Sequence, residues 1–432
     1  MIATSIIAGV TFLLLTLSVV FVPTVRIKNI KIGPYWIVAL LGAIVLLVTR
    51  LAPIEAVGKS FISDSAVNPL KILVLFFSMT FLSVYLDEVG LFKYLAKKAV
   101  DVAGNSQYSL FAIFYFLTAL LTIFTSNDVV VLTLTPFICF FCKNTKINPI
   151  PFLVGEFAAA NTYSMALIIG NPTNIFLATS ANIGFVDYFK VMALPTLAAG
   201  IVEFAVISLI FHKSLRSAPE KQPVSCEIES KIDLVFGGGI LGICLIFLVI
   251  SGYINVQMWL VSAICAAVLL VFAIIRRLSK SKDKRLERSL VRLPWQLIPF
   301  VLSMFVIVVA LQEQGVTDKI CALLGDKYVV FAYGSASFLS ANVINNIPMS
   351  MLFSALPVSL ARADYLRAIY ASIVGSNLGA FLTPLGALAG IMFTELTSRY
   401  EVKYGFKEFV RYGIITSIPT LAAALIVLFF LV

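Results

Sequence analysis

Apolar runs of about 17–25 residues follow one another along this whole chain, and that repetition decides what it can fold into. Each run is long enough to cross a hydrocarbon core of about 30 Å as a helix. Of the 432 residues 60% are hydrophobic and 12% charged, too little charge to keep such a length in water. The polar stretches 213–231 and 276–293 are too short to fold alone. The first run, "IIAGVTFLLLTLSVVFV", has no basic leader and no small-residue cleavage site, so it reads as a first span rather than a signal peptide. The fold class expected is an all-α polytopic membrane protein without a soluble domain.

About ten transmembrane helices are predicted: 2–22, 34–50, 70–88, 149–182 (interrupted), 186–212, 232–252, 255–275, 294–312, 366–397 (interrupted) and 408–431. Two more segments, 106–142 and 328–360, are apolar but broken near the middle. Each is too long for one helix, and each half is short for an independent span. Both read as re-entrant hairpins.

Charge sets the topology. The net charge is +10, and the basic residues crowd into a few short loops. Arg26, Lys28 and Lys31 follow span one. Lys93, Lys97 and Lys98 precede the first hairpin, and Lys143 and Lys146 follow it. Arg276, Arg277, Lys280, Lys282, Lys284, Arg285, Arg288 and Arg292 share one loop. With 106–142 as a hairpin, all of these fall on one side, which the positive-inside rule makes cytoplasmic. Both termini are then expected outside a cell (cytoplasmic) membrane, and the basic balance signals topology rather than nucleic-acid binding. Trp259 and Trp295 fall near span ends, as aromatic belts do.

Residues 185–199, "FVDYFKVMALPTLAA", match residues 409–423, "FVRYGIITSIPTLAA", at eight of fifteen positions without gaps. Upstream, "TSNDVVVLTLTP" corresponds to "VINNIPMSMLFSALP", and "AAANTYSMALIIGNPTN" to "VGSNLGAFLTPLG". Five crossings per copy turn the second copy upside down, giving an inverted-topology repeat. The expected division is repeat one over 1–213, a cytoplasmic linker over 214–231 and repeat two over 232–432.

Four polar breaks interrupt these spans: Ser126-Asn127-Asp128, Gly170 to Asn174, Asn342 to Pro348, and Gly375 to Gly386. A broken helix in a membrane is tolerable only where protein or water covers it. It exposes N–H groups at one half-helix, suited to anions or polar oxygens, and C=O groups at the other, suited to cations. The two tips and two interrupted spans are expected to enclose one polar site, with Ser126 and Asn174 among its lining. Asp128 is the residue to weigh most, because an intramembrane carboxylate is a functional hypothesis by default. It is expected to carry proton or cation coupling; its counterpart is the neutral Asn346. Glu156 and Glu203 read either as functional acids or as snorkelling or locally paired ones. Asn161 and Asn377 either line the site or bridge helices. Cys139 and Cys142 read as small helix fillers, since the sole histidine, His212, lies far off.

Together "TSNDVVVLTLTP", "GNPTN", "NNIPMS" and "GSNLGAFLTPLGALAGIMF" resemble the ion transporter superfamily over nearly the whole chain. That superfamily includes Na⁺/H⁺ antiporters, dicarboxylate and citrate carriers and arsenite-efflux membrane proteins. The first tip, the Asn-Asn-x-Pro of the second and the Gly-x-Asn-Leu-Gly-x-x-x-Thr-Pro-x-Gly break look most like the arsenical pump branch. The resemblance implies export of arsenite or antimonite in exchange for protons, by an elevator-like motion against a scaffold that often dimerises. Carried over by motif, the site would use Asn127, Asp128, Asn171, Thr173, Asn345, Asn346, Asn377 and Thr383. The dicarboxylate branch carries Ser-Asn-Thr at both tips. Here Ser-Asn-Asp and Asn-Asn-Ile stand instead, which weakens that branch.

A Na⁺/H⁺ antiporter is the first rival and a cation-coupled carboxylate or oxyanion carrier the second. An enzyme is not expected, because neither an HExxH pair nor a GxSxG elbow is present. The chain has no GxxxxGK[ST] loop, which leaves room only for a separate ATPase subunit. No cofactor and no metal site are implied.

Overall fold

The computed structural model describes residues 1–21, 25–27, 30–62, 68–104, 106–216, 230–251, 253–254, 256–279, 283–356 and 360–432. The expected linker falls largely outside them. The first half runs α1 (Ile2–Phe21), a ribbon of β1 (Val25–Ile27) and β2 (Ile30–Ile32), α2 (Tyr35–Val48), α3 (Ile54–Ile62), α4 (Pro69–Glu88) and α5 (Leu91–Ala103). It continues through α6 (Gln107–Phe124), α7 (Asn127–Thr145), α8 (Ile150–Tyr163), α9 (Pro172–Ser180) and α10 (Phe185–Phe211). The second half holds α11 (Lys231–Ser251), α12 (Met258–Ser279), α13 (Arg285–Arg292), α14 (Leu297–Glu313) and α15 (Val316–Leu324). It closes with α16 (Val329–Ile344), α17 (Asn346–Ala355), α18 (Arg362–Gly379), α19 (Leu388–Arg399) and α20 (Phe406–Leu431). The all-helical expectation holds apart from the antiparallel ribbon, in which Val25 pairs with Ile32.

The loops that charge groups together do meet. At one end Gly33 N–H donates to Gln296 Oε1 at 3.1 Å, Tyr108 donates to the His212 carbonyl at 3.1 Å, and Lys143 pairs with Glu401 at 3.3 Å. At the other end Met1 reaches Gln314 at 2.8 Å, Lys71 reaches Gln257 at 2.8 Å, and Arg367 donates to the Val432 carbonyl at 2.8 Å.

Residue pairing shows the first hairpin directly. Phe111 packs against Gly155 and Phe152, and Thr122 donates to the Ala160 carbonyl at 3.3 Å, so α6 runs parallel to α8. Asn127 bonds to Asn161 while Thr135 bonds to Glu156, so α7 runs the other way. Antiparallel α6 and α7 therefore flank α8. Their tip stops beside Asn161, about 16 Å along α8, roughly half the depth of a bilayer core. The halves of this hairpin are longer than the sequence suggested: α6 has 18 residues and α7 has 19, enough to cross by length alone. It is the pairing with α8, not arm length, that fixes the turn.

The second hairpin repeats the plan. Gly375 and Gly379 of α18 lie against Gly334 and Phe338 of α16, so α16 and α18 run parallel. A Cβ on Gly375 would come within 2.2 Å of the Gly334 carbonyl oxygen, so only glycine lets these two backbones approach so closely. Tyr333 of α16 meets Phe353 of α17 at 6.5 Å, which turns α17 back. Across the halves, α7 packs on α19 and α17 packs on α9. The helices holding the sequence repeat, α10 and α20, pack on each other in opposite directions. Phe211 meets Tyr412 at one end; at the other Tyr370 bonds to Asp187 while Arg367 bonds to Val432. The repeat extends to local detail. Each helix contains a proline, Pro195 or Pro419, followed by a threonine whose hydroxyl donates to its own i−4 carbonyl, Thr196 to Met192 and Thr420 to Thr416, both at 2.7 Å.

Two bodies result. In one, α1 and α2 pack with α14, and α4 packs with α11 and α12. The other contains α6–α10 and α16–α20, and its centre is α8 and α18, whose residues Pro151–Tyr163 and Ala368–Gly379 are buried on every side.

Candidate functional site

At the first tip, Thr125 and Ser126 leave helical geometry and Ser126 is extended. Ser126 stands where an N-cap would, yet its hydroxyl caps nothing and is buried without a partner. Asn127 donates from Nδ2 to Asn161 Oδ1 at 3.2 Å. Asn161 Nδ2 donates to the Phe157 carbonyl at 2.8 Å, which fixes both amide orientations. Asn127 Oδ1 is then left buried with no donor.

A chain of bonds continues from there. Ser164 Oγ lies 2.7 Å from the Asn161 carbonyl and 2.8 Å from Asn377 Oδ1. Asn377 Oδ1 also accepts from Asn171 Nδ2 at 3.0 Å, and its own Nδ2 donates to Asn174 Oδ1 at 2.7 Å and the Ile373 carbonyl at 2.8 Å. Asn174 Nδ2 donates to the carbonyls of Ser164 and Leu167. Asn171 caps α9 by accepting from Thr173 N–H at 3.1 Å. Asn171, Asn174 and Asn377 thus have their hydrogen-bonding groups engaged with protein. Thr173 is fully buried and its hydroxyl has no partner.

The second tip is held by the fourth break. Asn342 Oδ1 accepts from the Thr383 N–H at 3.1 Å and hydroxyl at 2.7 Å, and its Nδ2 donates to the Gly379 carbonyl at 3.0 Å. Asn345 Nδ2 donates to the Leu385 carbonyl, and Asn346 N–H to the Gly386 carbonyl, both at 3.0 Å. Asn345 sits at φ +70°, ψ 153°, a region nearly confined to glycine, and these bonds hold it there. Both tips therefore attach to one stretch of α18, the first through Asn377 and the second through Gly379.

Asp128 is placed differently from the rest. It is half-buried, it makes no hydrogen bond or ion pair among the described residues, and it is close enough to the Tyr35 hydroxyl of α2 to act on it electrostatically. It stands at the boundary between the two bodies. Glu156 and Glu203 are at most 1% exposed and bond to hydroxyls, so neither snorkels. Cys139 and Cys142 are free and buried in α7.

Two features show where the site opens. Both tips meet the other body near the ends that carry the basic loops: Thr133 donates to Asp87 at 2.8 Å beside Arg292, and the Val343 carbonyl accepts from Thr16, in the last turns of α1. A cavity of about 840 Å³ runs from the fourth break, at Pro384 and Leu385, to the loop at Glu401, Lys403 and Tyr404, with Glu395 and Glu408 on its walls. That wall carries three carboxylates and one ammonium. Within 106–142, 149–189, 328–361 and 368–398, the segments that make all four breaks, the sequence contains no Lys, Arg or His.

A family model described as a citrate transporter, CitMHS, matches residues 29–375. The chain belongs to this family. Membership bears out the likeness to the ion transporter superfamily and makes the protein a multi-pass membrane transporter. Arsenical pump membrane proteins are similar to it: one from Escherichia coli is 27% identical, covering 97% of each chain, and one from Yersinia enterocolitica is 27% identical over 81% of this chain and 84% of that one. Among solved structures, the YdaH transporter of Alcanivorax borkumensis matches 99% of this family member and 97% of its own chain with a TM-score of 0.56 at 15% identity, a likeness of fold.

Ser164 and Asn342 escaped the sequence reading as site residues. Ser164 lies three residues past Asn161, one helical turn, and that spacing was its only signal. Asn342 opens the "NVINNIP" break but lies one turn before the tip.

Proposed function

We propose that this transporter exports arsenite or antimonite in exchange for protons. The observation that carries the reading is the set of buried, unpartnered oxygens at the breaks: Ser126 Oγ, Asn127 Oδ1, Thr173 Oγ1 and Ser376 Oγ. Each unmet polar group costs about 1–3 kcal/mol when buried, so a ligand or water must serve them. Asn127 Oδ1 can only accept. A neutral trihydroxide supplies O–H donors and needs no counter-charge. A citrate trianion would meet no basic side chain at the breaks and an acidic approach. The similarity to arsenical pump membrane proteins supports the same choice.

In this reading Asn171, Asn174 and Asn377 form the frame, and Ser126, Asn127, Thr173 and Asn346 contact the solute. Asn345 and Thr383 lock the second tip, and Asp128 serves coupling at the boundary. Repeats over 1–213 and 232–432 supply a moving body and a scaffold, with the scaffold as the surface for a homodimer. With the basic loops cytoplasmic and both termini outside, the 840 Å³ cavity opens inward.

Purified protein in liposomes tests this. Uptake of As(III) is expected when a pH gradient supplies protons. Citrate or succinate movement without As(III) movement would reject it. A Na⁺/H⁺ exchanger is the second reading, favoured by the lack of a counter-ion at Asp128 among the described residues; Na⁺-driven proton flux without As(III) would select it.

A further inference from the structure

Glu203 lies on α10 in the moving body, fully buried, and its hydrogen-bond partners are not tip residues. Three hydroxyls surround it. Tyr115 Oη of α6 is 2.9 Å from Glu203 Oε1, Thr162 Oγ1 of α8 donates to Oε2, and Tyr163 lies beside Tyr115. Gly200, one turn earlier on α10, makes room for Tyr163: a Cβ there would be 2.2 Å from the phenol oxygen. Phe111, Phe116 and Tyr115 close around Phe204 at 5.1–5.6 Å between ring centres, beside the cluster.

Among the described residues no cation pairs with this carboxyl. From α6 and α8 the titratable groups facing it are Tyr115 and Tyr163. Glu156 of α8 faces Thr135 of α7 instead. On α10 itself Asp187 and Lys190 pair with each other at the far end, and His212 bonds back to Leu209. From α20, Arg411 lies over Tyr412, which stacks near Phe211, two turns away.

The hydroxyls suit either charge state. Tyr115 has one hydrogen and two acceptors at 2.9 Å, Glu203 Oε1 and the Gly200 carbonyl. With Glu203 protonated, the acid donates to Tyr115 and Tyr115 donates to Gly200. With Glu203 ionised, Tyr115 and Thr162 both turn their hydrogens to the carboxylate. A permanently ionised acid would want a cation, and a permanently neutral one would not need two rotors.

Thr162 ties this cluster to the solute site. It sits between Asn161, bonded to tip residue Asn127, and Ser164, bonded to Asn377. We propose that Glu203 is a proton-carrying carboxyl of the exchange, distinct from Asp128 and from the solute contacts. The coupling part rests on the proton-exchange reading above; the proton site itself does not. The step is simple: the acid releases H⁺ to water on one side of the membrane and regains it on the other.

The test uses the full chain in lipid. Infrared difference spectra across a pH titration are expected to show a carboxylic C=O band that Glu203→Gln removes, with no substrate present. In liposomes, Glu203→Gln should lose As(III) movement driven by a pH gradient while keeping one-for-one As(III) exchange, and Glu203→Asp should recover part of the driven flux. Should Glu203→Gln not fold, Tyr115→Phe leaves the acid in place and must shift the midpoint of its band. The proposal is overturned if Glu203→Gln keeps both the band and driven transport, or if Tyr115→Phe leaves the midpoint unmoved. A wild type that carries no As(III) but shows the band would defeat the exchange reading and leave the proton site standing.

Discussion

Asn377 Nδ2 donates to Asn174 Oδ1 at 2.7 Å across 203 residues of chain. This bond joins the interrupted spans of the two repeats at the centre of the body built on α8 and α18. Asn377 also binds Asn171, Ser164 and Ile373, so its amide is a structural hub, while Asn127 keeps an oxygen free.

The two asparagines should therefore separate stability from transport. Asn377→Ala strands several buried partners and is expected to cost about 3 kcal/mol or more, read as a large fall in detergent melting temperature. Asn127→Ala removes one bond, about 1 kcal/mol, yet should abolish As(III) flux. Similar melting losses in both would remove the distinction between frame and contact residues.

Asp128 makes a different case, because it faces the boundary near Tyr35. Asp128→Asn keeps the size of the side chain but cannot ionise. Folding should be unaffected, and ion-driven flux should fall with altered pH dependence. Full driven transport with the wild-type pH profile would remove Asp128 from coupling.

Much of this geometry was legible in the sequence, for a physical reason. Breaks such as "SNDVVV" and "GNPTN" put polar residues where only covered backbone survives in lipid. The repeat "PTLAA" gave the opposed pair α10 and α20. What the sequence concealed depends on rotation about helix axes. Asn127 and Asp128 are neighbours in the chain, yet about 100° apart on a helix, so one meets Asn161 and the other meets the scaffold boundary. Glu203 gave no sign of its hydroxyl cage, because Tyr115 and Thr162 come from two other helices. The short amphipathic helices α5, α13 and α15 also went unread, since they lie in stretches that hydropathy alone assigns to loops.

At the end with the basic loops, Asp87 is buried and pairs with Arg292 at 2.6 Å, and Thr133 of α7 donates to the same carboxylate oxygen. Arg292→Ala would strand that charge, with an expected loss of about 3 kcal/mol. Arg292→Ala combined with Asp87→Asn should recover most of it. A thermal-unfolding cycle over the single and double variants checks this. Additive losses would mean that the two side chains do not stabilise one another.

The contact between Thr16 and the Val343 carbonyl gives the most direct test of motion. Thr16 belongs to α1 in one body, and Val343 lies at the second tip in the other. If these bodies slide past one another during transport, the two positions must separate. Thr16→Cys with Val343→Cys, in a background whose native cysteines are replaced, should cross-link under oxidation with this conformation populated. The link should arrest As(III) flux, and reductant should restore it. The cavity facing Glu401 should stay open to a membrane-impermeant thiol reagent in the linked state, read from a cysteine at 402 and reagent applied on that side alone. Flux that continues with the link fully formed would mean the bodies do not slide, and the elevator account would have to be given up.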